Sequence, residues 1–152
     1  MYSEDTIDII NKTKGRLPSL PFELLKKDIL GKEYSLSVAF VGEKESQKIN
    51  YLYREKNNPT NVLSFSLSKN NGELVLCPKK IKSETEKFGK TYSELLLFLV
   101  IHGMLHLKGM QHSARMEAEE KKYYEKYFHW NRSGLSQDQS TGGRNIKRRK
   151  KS

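Results

Sequence analysis

Most of the chain's histidines follow directly after its longest apolar run. His102, His106 and His112, three of the four histidines, come after the apolar residues 95–101. Residues four apart lie on one face of a helix, so His102 and His106 can offer ring nitrogens to the same ion. Gly109 favours a turn that ends the helix, and this turn can bring His112 back as a third ligand. Three protein nitrogens leave one tetrahedral position open, as in catalytic zinc sites.

This spacing predicts a site for one divalent metal ion. A single histidine on an apolar helix is usually an interior residue, but two on one face with a third after a glycine turn are typical of ligands. Imidazole suits zinc, nickel, copper and iron alike. We take zinc as the expected ion, with nickel as the alternative.

Size and composition indicate one globular domain. The chain has 152 residues, of which 36% are hydrophobic, enough for a real core. Its one cysteine, Cys77, leaves no internal disulfide partner and indicates a reducing, cytoplasmic setting. Residues 1–8 lack the apolar stretch of a secretory signal. Because the longest apolar run is far below the ~20 residues that span a bilayer, we expect a soluble protein with no membrane partner.

The net charge of +10 is concentrated at the C-terminus. Residues 132–152 contain seven basic residues and one acidic residue. Residues 133–143 are polar and rich in glycine, with little to bury. We therefore predict a disordered basic tail over residues 133–152, following a folded domain over residues 1–132. The tail is either a solvated segment without function or, as we expect, an RNA-binding arm; its candidate residues are Arg144, Lys147, Arg148, Arg149, Lys150 and Lys151.

Hydrophobic periodicity predicts an α+β fold, a small four-stranded mixed sheet packed against about five helices. The predicted strands are residues 6–11, 34–41, 62–67 and 73–77, and the predicted helices are residues 21–30, 44–54 and 80–88, one that follows a capping box at 91–94, and one from 113. The helix that carries His102 and His106 is apolar nearly all round. We expect it to be the central, buried, metal-binding helix.

Three further expectations concern individual side chains. The helix over 44–54 should bury Ile49, Leu52 and Tyr53. Asparagine and glycine within 69–72 tolerate the positive φ that a tight hairpin turn demands. The last helix should bury one stripe, formed by Met116, Tyr123, Tyr127 and Trp130.

The histidine spacing is also that of a group of metallopeptidases. Their motif begins H-E-x-x-H, and the glutamate is the general base. Here Gly103 occupies that position and offers no side chain, so we discount a peptidase. Glu117 remains open to two interpretations: it orients a ligand histidine, or it is a solvated residue at the start of a helix.

Three sequence blocks together resemble the YbeY family, the bacterial rRNA-maturation endoribonucleases. Residues 102–112, HGMLHLKGMQH, resemble its H-G-x-L-H-L-x-G-x-D-H motif. Residues 53–65, YREKNNPTNVLSF, are similar to its Y-R-x-x-x-x-P-T-(D/N)-V-L-S-F block, and residues 72–77, GELVLC, to its G-D-(I/L)-x-(I/L)-(C/S) strand. Three residues depart from the family pattern: Gln111 and Glu73 stand where aspartate is usual, and Ser66 where proline is frequent.

The resemblance implies a compact α+β fold, one three-histidine metal site and a role in processing small-subunit ribosomal RNA. His102, His106 and His112 would hold the metal, and Arg54 would match the family's functionally important arginine. A divalent ion on neutral imidazoles activates water, and a guanidinium binds two phosphate oxygens in a planar fork. We therefore expect Arg54 to be catalytic, although without the resemblance an exposed arginine at a helix end is an ordinary feature.

The sequence thus predicts a single-strand-specific, metal-dependent endoribonuclease. It would act in 16S rRNA 3′-end maturation and ribosome quality control, in the cytoplasm, with ribosomal RNA and the small ribosomal subunit as partners. The alternative is a non-catalytic RNA-binding factor of ribosome biogenesis with a structural metal. A third possibility is a metal hydrolase with another substrate.

Removal of the chain from Gly134 onward should weaken RNA binding and reduce its dependence on salt. For a single strand, each phosphate that the protein no longer binds lowers the slope of log affinity against log salt by about 0.7. Fluorescence anisotropy with a labelled single-stranded RNA over a range of salt concentrations measures the slope. A full-length variant with glutamine at all six basic positions is the matched control, and a slope unchanged in both proteins would assign the tail no part in binding.

Overall fold

A four-stranded mixed sheet forms one layer of the protein. The computed structural model describes residues 7–138, with side chains to residue 128. The strands are β1 (Ile7–Asn11), β2 (Ser35–Phe40), β3 (Val62–Ser68) and β4 (Asn71–Leu76), in the order β1-β2-β4-β3. Strands β1, β2 and β4 run parallel to one another, whereas β3 is antiparallel to β4 and forms an edge of the sheet. The predicted mixed sheet is confirmed.

Six α-helices and one π-helical turn complete the described part of the chain. They are α1 (Phe22–Leu25), continued by the π-helical turn Lys26–Leu30, then α2 (Glu43–Arg54), α3 (Pro78–Ser83), α4 (Thr85–Phe88), α5 (Tyr92–Leu107) and α6 (Ala114–Asp138). The α+β class is confirmed. The predicted helix over 80–88 is divided at Glu84, whose φ and ψ leave the helical region.

Helix α5 is the central element of the core, as predicted. The Thr91 hydroxyl accepts from the Glu94 amide while the Glu94 carboxylate accepts from the Thr91 amide, so both early amide donors are satisfied. Strands β3 and β4, α3, the π-helical turn and α6 all contact this helix. It contributes ten buried residues: Leu95, Leu96, Leu97, Leu99, Val100, Ile101, Gly103, Met104, Leu105 and Leu107.

The β3–β4 turn differs from the prediction. Among residues 7–138, positive φ occurs only at Gly31, Glu55, Gly89 and Gly109, so residues 69–72 do not adopt it. The turn is instead accommodated by a register shift between Ser66 and Ser68. Gly72 is required for packing, because a Cβ there would collide with the Tyr34 hydroxyl and lie 2.9 Å from Leu107 Cδ2.

Helix α2 is held by polar contacts, and the prediction that it buries Leu52 and Tyr53 is wrong. These side chains are 64% and 67% exposed. Ile49 is half-buried against a small core cluster formed by Ala39, Val41, Leu63 and Val75. The fully buried positions are Ser46 and Asn50. Ser46 Oγ donates to the Thr60 carbonyl, and Asn50 Nδ2 to the Asn58 carbonyl, both over 2.9 Å. The buried face of α2 is therefore the one that donates hydrogen bonds to the backbone carbonyls of the loop before β3.

Helix α6 crosses the predicted domain boundary after residue 132. It continues to Asp138, past that boundary. Residues 139–152 lie outside the described residues, and the division into a folded domain and a disordered tail stays a prediction. The tail's six candidate RNA-binding residues, Arg144, Lys147, Arg148, Arg149, Lys150 and Lys151, lie outside the described residues. Burial of Met116, Tyr123 and Tyr127 is confirmed, whereas the Trp130 side chain lies beyond those described. Within the searched part of the chain, no helix has both the length and the apolar character needed to cross a membrane.

One polar contact joins α6 to the π-helical turn. Asp28 Oδ2 accepts from Lys126 Nζ over 2.6 Å and from the Tyr127 hydroxyl over 2.8 Å. Burial alone would raise the pKa of Asp28, but these two donors outweigh it and lower the pKa below its ordinary value of 3.8. The carboxylate therefore stabilises the folded protein above that pH.

Asp28→Asn should lower the free energy of unfolding by about 1 kcal/mol at neutral pH, because charged hydrogen bonds are lost at a partly exposed site. Since the folded pKa is lowered, the contribution is fully present above pH 3.8 and lost as the pH falls through the folded value. Urea denaturation from pH 7 to pH 3 measures the difference. Glu125→Gln, in an exposed ion pair with Lys121, is the control and should change the free energy of unfolding little. If the loss of stability in Asp28→Asn is the same at pH 3 as at pH 7, the stabilising role of the Asp28 carboxylate is contradicted.

Candidate metal centre

The histidine-rich segment forms the end of α5 and the loop that follows it. His102 and His106 occupy consecutive turns of α5. Gly109, with φ of 103°, reverses the chain, and the Met110 amide donates back to the Leu105 carbonyl over 3.0 Å. His112 follows in the loop before α6. The helix thus supplies two imidazoles and its C-terminal turn supplies the third.

The three imidazoles converge. Ring centroids are separated by 4.6 Å between His102 and His106, 4.8 Å between His106 and His112, and 5.3 Å between His102 and His112. One ring nitrogen from each lies within 4.8 Å of the other two. His102 and His106 are half-buried, and His112 is exposed. The predicted ligands are therefore brought together in one cleft.

Two hydrogen bonds orient the rings of the helical pair. His106 Nδ1 lies 3.0 Å from the Met110 carbonyl oxygen. A carbonyl can only accept, so Nδ1 carries the proton and Nε2 keeps its lone pair. His102 Nδ1 makes a short hydrogen bond to Glu120 Oε2, which also accepts. In both rings the hydrogen bond is made at Nδ1, so Nε2 remains to ligate an ion. This donor set fits a divalent ion that prefers imidazole ligands.

Burial favours the neutral form that a ligand requires. It lowers the pKa of His106 below its ordinary value of 6.5, and the neighbouring His102 lowers it further. His106 is consequently neutral at pH 7, and protons do not compete for its Nε2 there.

The cleft contains Arg54 as well as the histidines. Its volume is about 800 Å³, and it is lined by the imidazoles, by the end of α2 and by residues of β3. Arg54 is the last residue of α2 and is exposed. Among the described residues, no carboxylate forms an ion pair with it. The guanidinium is therefore available to an anionic ligand in the same cleft.

Comparison with known proteins places the chain in a family. The sequence pattern of the family Endoribonuclease YbeY matches residues 5–128. The chain belongs to the YbeY family. This confirms the resemblance found in the three sequence blocks and identifies the family as one of nucleases.

Relatives match over most of the length. Endoribonuclease YbeY of Thermotoga petrophila is 35% identical over 130 residues, which cover 80% of this chain and 85% of the relative. Endoribonuclease YbeY of Bdellovibrio bacteriovorus is 42% identical over 102 residues, covering 64% and 67%. The solution structure of TM1509 from Thermotoga maritima aligns with a TM-score of 0.61 at 34% identity, covering 91% of this chain and all of that one.

The packing of α5 explains why a glycine, Gly103, lies between the two helical histidines. A Cβ at that position would lie 2.7 Å from Leu74 Cδ2 and 3.3 Å from Ser64 Oγ. Ser64 Oγ also donates to the Gly103 carbonyl over 3.2 Å. Close contact of α5 with the sheet therefore excludes the glutamate side chain that a peptidase would place here.

Sequence reasoning missed Glu120, the carboxylate that contacts His102. Glu117, the residue considered for this role, is exposed at the cleft, which agrees with the solvated interpretation. Glu120 is 8% exposed and lies on the buried stripe with Met116, Tyr123 and Tyr127. An acidic residue within an apolar stripe was the available signal, because a buried carboxylate requires a partner.

The departures from the family pattern leave the imidazole contacts in place. Gln111 and Ser66 are exposed, and Glu73 is half-buried in β4. None of the three lines the cleft among the described residues.

Glu120→Ala should weaken metal binding by about 10- to 100-fold, because His102 loses the partner that fixes its ring and tautomer. Glu120→Gln should weaken it less, since the amide oxygen can still accept from Nδ1. Competition with a chromophoric chelator measures the affinity. Glu117→Ala, one turn earlier on α6, is the matched control, and equal affinities in the Glu117 and Glu120 variants would remove Glu120 from the site.

Proposed function

We propose that this protein is a metal-dependent endoribonuclease that cleaves single-stranded RNA. The observation that carries the proposal is the presence of three converging imidazoles and an exposed guanidinium in one cleft. Family membership supports the reaction class, since the matching relatives are named endoribonucleases. The substrate we propose is ribosomal RNA, with a role in 16S rRNA 3′-end maturation and ribosome quality control in the cytoplasm, in association with the small ribosomal subunit.

The residues that would hold the metal are His102, His106 and His112, and the ion we propose is zinc, with nickel as the alternative. When bound, a divalent ion on three neutral ligands supplies Lewis acidity and activation of water at neutral pH. The protein's own contribution is to keep two of the rings in one orientation, through the Met110 carbonyl and the Glu120 carboxylate.

Arg54 would bind the phosphodiester. A phosphodiester is anionic and gains further charge on its non-bridging oxygens as water adds to phosphorus. A guanidinium donates two parallel hydrogen bonds to such oxygens and compensates that charge. Helix α2 places Arg54 on the cleft from an element distinct from α5, so phosphate binding and metal binding depend on separate parts of the fold.

A non-catalytic factor with a structural metal is the less favoured function. Structural ions usually tie together segments that would otherwise separate. Here two ligands lie on a capped helix already buried in the core, and the third follows within a short loop. An ion at this position adds little to the tertiary structure, which favours a catalytic ion.

Arg54→Ala should retain metal and lose about 100-fold in the rate of RNA cleavage, because one charge-compensating group is removed from the transition state. Arg54→Lys should recover only part of the rate, since the ammonium lacks the planar fork. Gel assays with a single-stranded RNA and metal analysis of each purified variant measure both quantities. Arg16→Ala, an exposed arginine outside the cleft lining, is the control.

Chelation separates the two functions. Loss of cleavage with retained fold and RNA affinity supports the enzyme, whereas melting on chelation together with no cleavage by the metal-loaded wild type would support the binding factor. Normal cleavage by Arg54→Ala protein would remove that residue from the mechanism.

A further inference from the structure

Tyr53 is an exposed aromatic residue on the wall of the cleft. It is 67% exposed, precedes Arg54 at the end of α2 and lines the same cavity as the three histidines. It shares this cavity with two further aromatic residues, Phe65 and Phe88, and neighbouring apolar side chains at a cleft form a surface that a ligand can cover.

The Tyr53 ring is supported by the fold. Its centroid lies 4.9 Å from that of Phe65, with the two planes at 60°. Phe65 is half-buried in β3 and packs against a core cluster formed by Ala39, Val41, Leu63 and Val75. The edge-to-face contact restrains Tyr53 while most of its surface stays accessible. A ring held in this way loses little entropy when a ligand stacks on it.

Cations accompany the aromatic residues of this cleft. Arg54 is adjacent to Tyr53 in sequence. Phe88, on α4, lines the same cavity and is 38% exposed, and Lys87 Nζ lies 5.7 Å from its ring centroid. Aromatic rings interleaved with positive charges form the usual surface for single-stranded nucleic acid, in which bases stack and phosphates pair with cations. Arg54 lies on the same helix as Tyr53, whereas the carboxylates that line the cleft, Glu117 and Glu120, lie on α6. The α2 side of the cleft therefore favours an anionic ligand over an apolar protein segment.

We infer that Tyr53 is a base-stacking subsite for an unpaired nucleotide next to the phosphate that Arg54 binds. The inference rests on the proposed function and deepens it, because it assigns a source for the preference for single strands. A base within a duplex is already stacked on its neighbours, and its face is not available to a protein ring without unpairing. An unpaired base can stack on Tyr53 at no such cost. Tyr53 thus binds substrate and has no part in the chemical step.

The test compares full-length, metal-loaded variants on a short single-stranded RNA. Tyr53→Ala should raise KM about tenfold with kcat nearly unchanged, the scale expected for one stacked base. Tyr53→Phe should behave as the wild type, since it keeps the ring. Tyr53→Leu keeps an apolar contact with Phe65 but has no ring face, and should behave as Tyr53→Ala.

Tyr51→Ala is the matched control. Tyr51 lies on the same helix, is 57% exposed and lines a different cavity, with Lys44 and Gln47. We expect its KM to equal that of the wild type. An equal loss in Tyr51→Ala and Tyr53→Ala would overturn the inference, because the effect would then belong to α2 in general.

A second experiment combines Tyr53→Ala with an RNA that has a single abasic position, moved stepwise along the strand, in a double-mutant cycle. At one position next to the cleavage site the wild type should lose about tenfold in affinity and Tyr53→Ala almost nothing. If the losses of affinity caused by the abasic position and by Tyr53→Ala add at every position, the inference is overturned. It is also overturned if Tyr53→Ala changes self-association of the protein but not its RNA affinity. Anisotropy is measured on chelated protein, so that the affinity does not depend on cleavage. Absence of cleavage by the metal-loaded wild type would refute the proposed function. Unchanged RNA affinity of Tyr53→Ala would refute the stacking subsite.

Discussion

The burial of α5 on nearly every side is the constraint on which the rest of the structure depends. A helix with apolar residues all round must be covered by other elements, and here the sheet, the π-helical turn, α3 and α6 supply the cover. His102 and His106, in its last turns, are half-buried and line the cleft. The packing that stabilises the fold therefore fixes the positions of two of the proposed metal ligands.

The polar contacts around the imidazoles follow from the same packing. Helix α6 covers α5 with a stripe that is apolar except for Glu120, and this carboxylate is nearly buried. A buried carboxylate is costly without a hydrogen-bond donor, and the Nδ1–H of His102 is the donor. The turn at Gly109 places the Met110 carbonyl on His106 in the same way. Each partner satisfies its own hydrogen-bonding requirement and orients a ligand at the same time.

Local features of the fold and site were predictable, whereas contacts between distant elements were not. The spacing of His102 and His106, the capping box at Thr91 and the apolar run all depend on residues close in sequence. The exposure of Tyr53 depends on which face of α2 the loop before β3 requires, and Ser46 and Asn50 decide this through bonds to Thr60 and Asn58. Likewise, the close contact at Gly72 involves Tyr34 and Leu107, which no periodicity connects with it.

The α5 wall and the α2 wall of the cleft are held by different interactions. This difference determines whether the proposed metal site and the proposed RNA contacts depend on each other. The α5 wall is rigid because it is core, but the α2 wall is positioned by a few buried hydrogen bonds and ends at Glu55, whose φ of 57° is unusual for a residue with a side chain. Loss of a bond such as that of Ser46 would shift Arg54 and Tyr53 together and leave the imidazoles where they are. A change in α2 should therefore alter the proposed RNA contacts, while the proposed metal site, which the core positions, stays the same.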